Sequence, residues 1–212
     1  GSLTGGSGDD TFTLGAAGTL SGSIAGGGQT TTDTLNLSGK VGAVAINQQA
    51  STVTDITGTF GGIEAVVGNG ATTTITGVNA GQTFNITGGD AGTAGSLAFT
   101  GVGSLTGGSG DDAFVFAAGG SLTGLIDGGA HSTGDSADYS LRGALTVTVG
   151  TSITNIESVT GTAAQTLQGG NIGNAWNVTG ANSGTLNGMT FSGFGSLTGG
   201  SGDDTFTLGA AG

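Results

Sequence analysis

Apolar and polar residues alternate at period two through short runs such as "TLNLSG" (Thr34–Gly39), "VGAVAIN" (Val41–Asn47), "TFNITGG" (Thr83–Gly89) and "ALTVTVG" (Ala144–Gly150). That alternation turns one face of an extended segment toward a core and the other toward water, and it predicts short strands. Gly-rich turns punctuate the runs. They fall at Gly5, Gly26, Gly68, Gly88, Gly107, Gly128, Gly161, Gly180 and Gly199, and most neighbours are separated by a similar length of chain. That step, about twenty residues, holds two or three strands plus turns, the dimension of one coil of a parallel β-solenoid whose coils stack through main-chain hydrogen bonds. Small and branched side chains suit its narrow interior, and Phe fills the wider places.

A longer period overlies the coil. "GSLTGGSGDDTFTLGAAG" occupies Gly1–Gly18 and recurs letter for letter at Gly195–Gly212, with an imperfect copy, "GSLTGGSGDDAFVFAAGG", at Gly103–Gly120. The chain therefore divides into units 1–102 and 103–194 and the start of a third, 195–212, which is the pattern of a window from a longer tandem array forming one continuous rod. The second unit is slightly shorter than the first, a change that a solenoid tolerates because each coil touches only its neighbours.

Composition sharpens this. Fifty of the 212 residues are Gly and none is Pro. Gly and the β-branched Thr, Val and Ile all disfavour helix, so the fold class expected is all-β, a right-handed parallel β-solenoid. The β-branched alternation argues for order over disorder. Two basic residues, Lys40 and Arg142, face fourteen acidic ones, for a net charge of −12. Nucleic acid and anionic membrane both require a positive surface, so neither is an expected partner, whereas cations are. No Cys is present, which removes disulfides and thiolate metal sites, and no apolar run approaches membrane-spanning length.

The chemistry sits in "GGSGDDTFT" (Gly5–Thr13), "GGSGDDAFV" (Gly107–Val115) and "GGSGDDTFT" (Gly199–Thr207). All three fit the nonapeptide G-G-x-G-x-D-x-U-x. They resemble the calcium-binding repeats of RTX proteins, secreted bacterial toxins, proteases and adhesins. The resemblance implies Ca2+ held by the loop glycine carbonyls and the sixth-position Asp: Gly5, Gly6, Gly8 and Asp10; Gly107, Gly108, Gly110 and Asp112; Gly199, Gly200, Gly202 and Asp204. It also makes Phe12, Phe114 and Phe206 core plugs. Independently, glycine permits backbone that turns carbonyls toward one point, and a carboxylate adds the charge a hard cation requires. The alternative is that Gly-Asp turns simply end strands. Asp9, Asp111 and Asp203 stand at the variable position and read as a solvated face.

A single loop makes half a site. "GGGQTTTDTLNLS" places Asp33 about one coil after Asp10, and "IDGGAHSTGDSADYS" places Asp127, Asp135 and Asp138 about one coil after Asp112. One ion per unit is thus expected between Asp10 and Asp33, and between Asp112 and Asp135 or Asp138.

Other conspicuous residues carry less. His131, the only histidine, lies in a polar turn with no Cys or second His to share a metal, and reads as a solvated loop residue. Tyr139, Arg142 and Asp138 suggest a polysaccharide-lyase groove, but no second charged set accompanies them, so no enzyme is expected. Threonine runs such as "TTTDT" invite an ice-binding face, yet they do not recur in every coil. Trp176 and Met189 read as local packing.

The function expected is structural: a stalk or filament segment of a large secreted or cell-surface bacterial adhesin, extracellular, stabilised by calcium. Its partners are neighbouring repeats of the same chain, with end-to-end or lateral self-association because solenoid ends are sheet edges. The alternatives are a self-assembling surface-layer or filament protomer and, third, an ice- or carbohydrate-binding face.

Overall fold

The computed structural model describes residues 1–209; the end of the third unit, 210–212, lies outside them. Among the described residues there is no helix, and they form 23 strands, most of them short. Most strand pairs are parallel, and the chain returns repeatedly to lay a new strand on an earlier one. Thr11–Thr13, Thr34–Asn36, the first half of Ala65–Thr76 and the first half of Leu97–Thr106 make one such column. Val44–Asn47, the second halves of those two long strands, Ile126–Asp127 and Ile153–Thr154 make another. A third contains Thr83–Gly88, Ala113–Phe116, Ser136–Asp138, Ser158–Thr160 and Met189–Ser192.

The alternation read from the sequence becomes burial. Most strands turn one or two apolar residues inward, and in the parallel columns the register places them on their counterparts in the next strand. Phe12, Leu35, Val66 and Phe99 are successive partners, as are Ile46, Ile75, Leu105, Ile126 and Ile153. Phe84, Phe114, Ala137, Val159 and Phe191 form the third row, and all are buried. The Phe84 and Phe114 rings stack with centroids 4.7 Å apart. Like side chains in register bury apolar area that no isolated strand could remove from water.

The step between parallel partners is not uniform. Leu3 pairs with Ile24 and Thr146 with Thr166, the short step expected, but Ile24 pairs with Phe60 and Thr83 with Ala113, which are markedly longer steps. The regular spacing of Gly turns therefore does not mark one return each. Two of those turns, "TGGDAGT" and "TGANSGT", close antiparallel hairpins: Thr83–Gly88 onto Ala91–Ala94, and Ala175–Gly180 onto Ser183–Leu186. Asp90 (φ 52°) and Asn182 (φ 55°) adopt the left-handed conformation that such tight reversals need and that Asp and Asn tolerate best. The hairpins lengthen some steps, and a second kind of tie crosses them. Buried Lys40 reaches back toward the first unit's opening loop, its Nζ donating to the Gly18 carbonyl at 2.8 Å and pairing with Asp55 at 2.6 Å.

Candidate functional site

In the first two nonapeptides the loop closes on its own aspartate. The Gly6 N–H donates to Asp10 Oδ2 at 2.8 Å, and the Gly108 N–H to Asp112 Oδ2 at 2.9 Å. Glycine is required at Gly5 and Gly107 for close approach: a Cβ on either would collide with that carboxylate and with the carbonyl of Gly26 or Gly128 in the next turn. Asp204 differs. Its Oδ1 accepts from the backbone N–H of Asn174 at 3.0 Å and from its side-chain amide at 2.6 Å.

These aspartates belong to a ladder of carboxylates that runs from turn to turn. The Asp10 N–H donates to Asp33 Oδ1 at 2.7 Å, and the Asp33 N–H to Glu64 Oε2 at 2.9 Å. In the second unit the Gln82 N–H donates to Asp112 Oδ1 at 2.9 Å, Asp112 N–H to Asp135 Oδ1 at 2.7 Å, and Asp135 N–H to Glu157 Oε2 at 2.8 Å. Each rung is a charge-assisted bond across a step of the stack, the strong kind. Asp33 joins Asp10 and Asp135 joins Asp112, the pairs expected. Asp138 does not join: its Oδ1 accepts from Ser140 N–H at 2.7 Å, an Asx turn repeated by Asn36 and Ser38 in the first unit. Asp127 likewise turns to Gly129 N–H and the Asn155 amide.

Burial makes two rungs unusual. Asp33 and Asp135 are fully enclosed, and their Oδ2 atoms have no hydrogen-bond partner among the described residues. Asp33 Oδ2 and the Gly62 carbonyl crowd Gly26, just as Asp135 Oδ2 and the Asn155 carbonyl crowd Gly128. Burial pushes the Asp112 and Asp135 carboxyls above the usual carboxylate range, against the backbone donors that favour their charged forms.

Asp9 and Asp111 are exposed, as a solvated face requires, but they are also anchors. Asp9 Oδ1 accepts from the N–H groups of Thr30, Thr31 and Thr32 at 2.9, 2.7 and 3.1 Å, and its Oδ2 accepts from the Thr31 hydroxyl. Asp111 Oδ1 accepts from Ser132, Thr133 and Gly134 at 2.8, 2.7 and 3.2 Å. The Thr31 hydroxyl and the surrounding N–H groups hold Asp9 far below the ordinary carboxylate range, and Thr133 leads the N–H groups that bring Asp111 down to about 2. Both carboxylates pin the loop of the following turn.

Sequence reasoning passed over Glu64 and Glu157, the only glutamates in the chain. The signal was present: both stand in the pattern I-E-x-V, as "IEAV" at Ile63–Val66 and "IESV" at Ile156–Val159. His131 is also more than a solvated loop residue. Its Nδ1 lies 3.1 Å from Glu157 Oε2 and 3.8 Å from Asp135 Oδ2. Of the three plugs, Phe12 and Phe114 are buried while Phe206 is 44% exposed and stacks on Trp176 at 5.4 Å. Tyr139 and Arg142 line a cavity of about 150 Å³ whose lining contains no carboxylate. There Tyr139 stacks on Phe116, and Arg142 donates to the Ala118 carbonyl.

No family model, curated protein or solved structure matches the chain. The fit of calcium must therefore be judged on donor atoms. A hard cation takes oxygens, anionic and neutral, and is repelled by proton donors. Asp33 Oδ2 with the Gly62 carbonyl, and Asp135 Oδ2 with the Asn155 carbonyl, are such sets. Asp112 fits less well, because both of its oxygens already accept backbone N–H groups.

Proposed function

We propose that this chain is a structural repeat segment, the stalk or filament body of a large secreted or cell-surface adhesin, folded as a right-handed parallel β-solenoid. Its basic coil is the short step between parallel partners, lengthened where hairpins are inserted. Calcium, on this reading, binds at Asp33 and Asp135, each held by the rung to Asp10 or Asp112, with the neighbouring glycine-loop carbonyls completing the shell. The observation that carries the reading is the ladder itself. It places buried carboxylates in register along the stack and leaves one anionic oxygen free on the buried aspartate of each unit. A buried anionic oxygen without a donor costs on the order of 1–3 kcal/mol, which a cation or a proton would offset. Extracellular fluid supplies the cation.

The test is thermal melting of the chain followed by circular dichroism, with excess calcium and with a chelator, for the native chain and for Asp33→Asn. Asn keeps the Oδ1 that accepts from Asp10 and replaces the free oxygen by an amide donor facing the Gly62 carbonyl. In chelator the variant should melt higher than the native chain, by roughly 2–12 °C for the energy above. It should also lose about half of the calcium response. Coincident native curves with and without calcium would reduce the loops to metal-independent turns and leave a rod without an ion.

A second reading, a self-assembling filament protomer, rests on the strand Thr205–Leu208. Among the described residues that strand pairs only with Ala175–Gly180, and Phe206 and Leu208 are exposed on it. Apolar edges of this kind pair with other chains. Sedimentation showing monomer alone at high concentration would remove this reading.

A further inference from the structure

We infer that the second unit carries a site for a zinc-class divalent ion, distinct in chemistry from calcium, made by His131, Asp135 and Glu157. The three side chains each offer a ligand atom, and these atoms lie within 4.8 Å of one another. Two of the separations are 3.1 and 3.8 Å. Ligands at about 2.0–2.2 Å from a tetrahedral zinc stand about 3.4 Å apart, so this arrangement needs only small side-chain movements to close on an ion.

A cluster of acids alone would mean little. Here a separate observation points to a ligand: Asp135 is fully buried, and its unpartnered Oδ2 faces the imidazole. The rest of the carboxylate is fixed, because Oδ1 accepts from the Asp112 N–H. Such outer bonds orient a ligand for its metal. Glu157 is tied in turn by the Asp135 N–H. Asp135 and Glu157 line an open depression of about 400 Å³ beside Thr133 and Gly134, which gives an ion a path from solvent and leaves a coordination position for water.

Imidazole nitrogen decides the class of ion. Calcium and magnesium take oxygen, whereas zinc and its first-row neighbours favour imidazole with carboxylate. The first unit supplies the contrast. Asp9 holds Thr30–Thr32 as Asp111 holds Ser132–Gly134, so the residue equivalent to His131 is Gln29, which offers no imidazole. The two units share a calcium-type ladder, and only the second adds the nitrogen.

The experiment is titration of the intact, chelator-stripped chain with Zn2+ by calorimetry, and by proton NMR of the imidazole. The chain contains one His and no Cys, so a nitrogen-bound ion has a single address and one pair of ring resonances reports it. Native protein should bind one Zn2+ with those resonances shifted by direct coordination of the nitrogen, whereas Ca2+, which on the proposed function uses Asp135 Oδ2 but takes no nitrogen, should compete with Zn2+ and shift them less. His131→Gln, which copies the first unit, should weaken Zn2+ binding tenfold or more. It should keep the native dichroism spectrum and the calcium response carried by Asp33, so failure here is distinguishable from failure of the calcium reading. Equal Zn2+ affinity in His131→Gln, or unshifted ring resonances in the native chain at saturating Zn2+, would overturn the assignment.

Discussion

The three nonapeptides place Phe12, Phe114 and Phe206 at one motif position and at three depths, which makes them a graded test of the stack. Phe114 is fully buried with Phe84 stacked on one face and Ala137 in register on the other; Phe12 is 9% exposed with Leu35 on one side; Phe206 is 44% exposed against Trp176. A Phe side chain buries about 150–250 Å², which at about 25 cal/mol per Å² is roughly 4–6 kcal/mol, in line with the 3–5 kcal/mol typical of Phe→Ala in cores. Phe114→Ala should therefore cost about 4–5 kcal/mol, Phe12→Ala about 3–4 as a partly rimmed site, and Phe206→Ala about 2. The assay is urea unfolding followed both by circular dichroism and by Trp176 fluorescence. The lone tryptophan lies directly against Phe206, so Phe206→Ala should move the fluorescence transition more than the dichroic one, and Phe114→Ala should move both. Equal losses at the three positions, or the largest loss at Phe206, would refute burial in register as the source of stability.

Other outcomes follow from single contacts. Burial pushes the Tyr139 hydroxyl above its ordinary value of 10.0, with the Arg142 charge opposing. The unfolded chain thus ionises first, and the stability contributed by Tyr139, negligible below the unfolded pKa, turns unfavourable as pH rises through the window above it. Tyr139→Phe should flatten that alkaline limb in a series of melts, and identical limbs in the two proteins would exclude Tyr139 as its cause. Lys40→Met keeps the aliphatic stem and loses both the bond to Gly18 and the pair with Asp55, a change of about 1.5–3 kcal/mol carried mainly by the Gly18 bond and seen as a lower urea midpoint. Asp55→Asn should cost under about 1 kcal/mol, because the Asp55 side chain is 38% exposed and its share of the pair is screened by solvent. Equal losses in the two variants would relocate the tie from the Gly18 carbonyl to the ion pair.

Period-two alternation was sufficient to find four of the strands because it records which side chains face inward, a local property. Thr34–Asn36, Val44–Asn47, Thr83–Gly88 and Thr146–Thr148 all fall inside the runs that show it. The recurrence of the nonapeptide likewise revealed that Asp10 and Asp112 are equivalent. The direction of the next strand was not legible. A Gly turn precedes parallel and antiparallel returns alike, and the choice at Gly89–Asp90 depends on whether Ala91–Ala94 finds Thr83–Gly88 or an earlier strand. Nor was His131 legible as a ligand, because Glu157 reaches it only after the chain has returned to the next step of the ladder. A search confined to Gly-Asp loops could not see that glutamates on the strand side complete the column.

Asp111 joins the two readings, because it anchors the loop that presents His131. It is solvent-exposed and accepts three N–H groups from residues that water could also satisfy, so removing it should hardly change the melting temperature. Yet Ser132–Gly134 lie between His131 and Asp135 in the chain, and their fixation sets where the imidazole stands relative to Glu157. Asp111→Ala should therefore weaken Zn2+ binding by roughly 10–100-fold, the range for loss of an orienting partner, while the dichroism spectrum stays native. Asp9→Ala makes the same change in the first unit, where Gln29 takes the place of His131, and should leave Zn2+ affinity as it was. An equal loss in both variants would mean that the carboxylates act through net charge. No loss in Asp111→Ala would mean that the imidazole is positioned by the ladder alone.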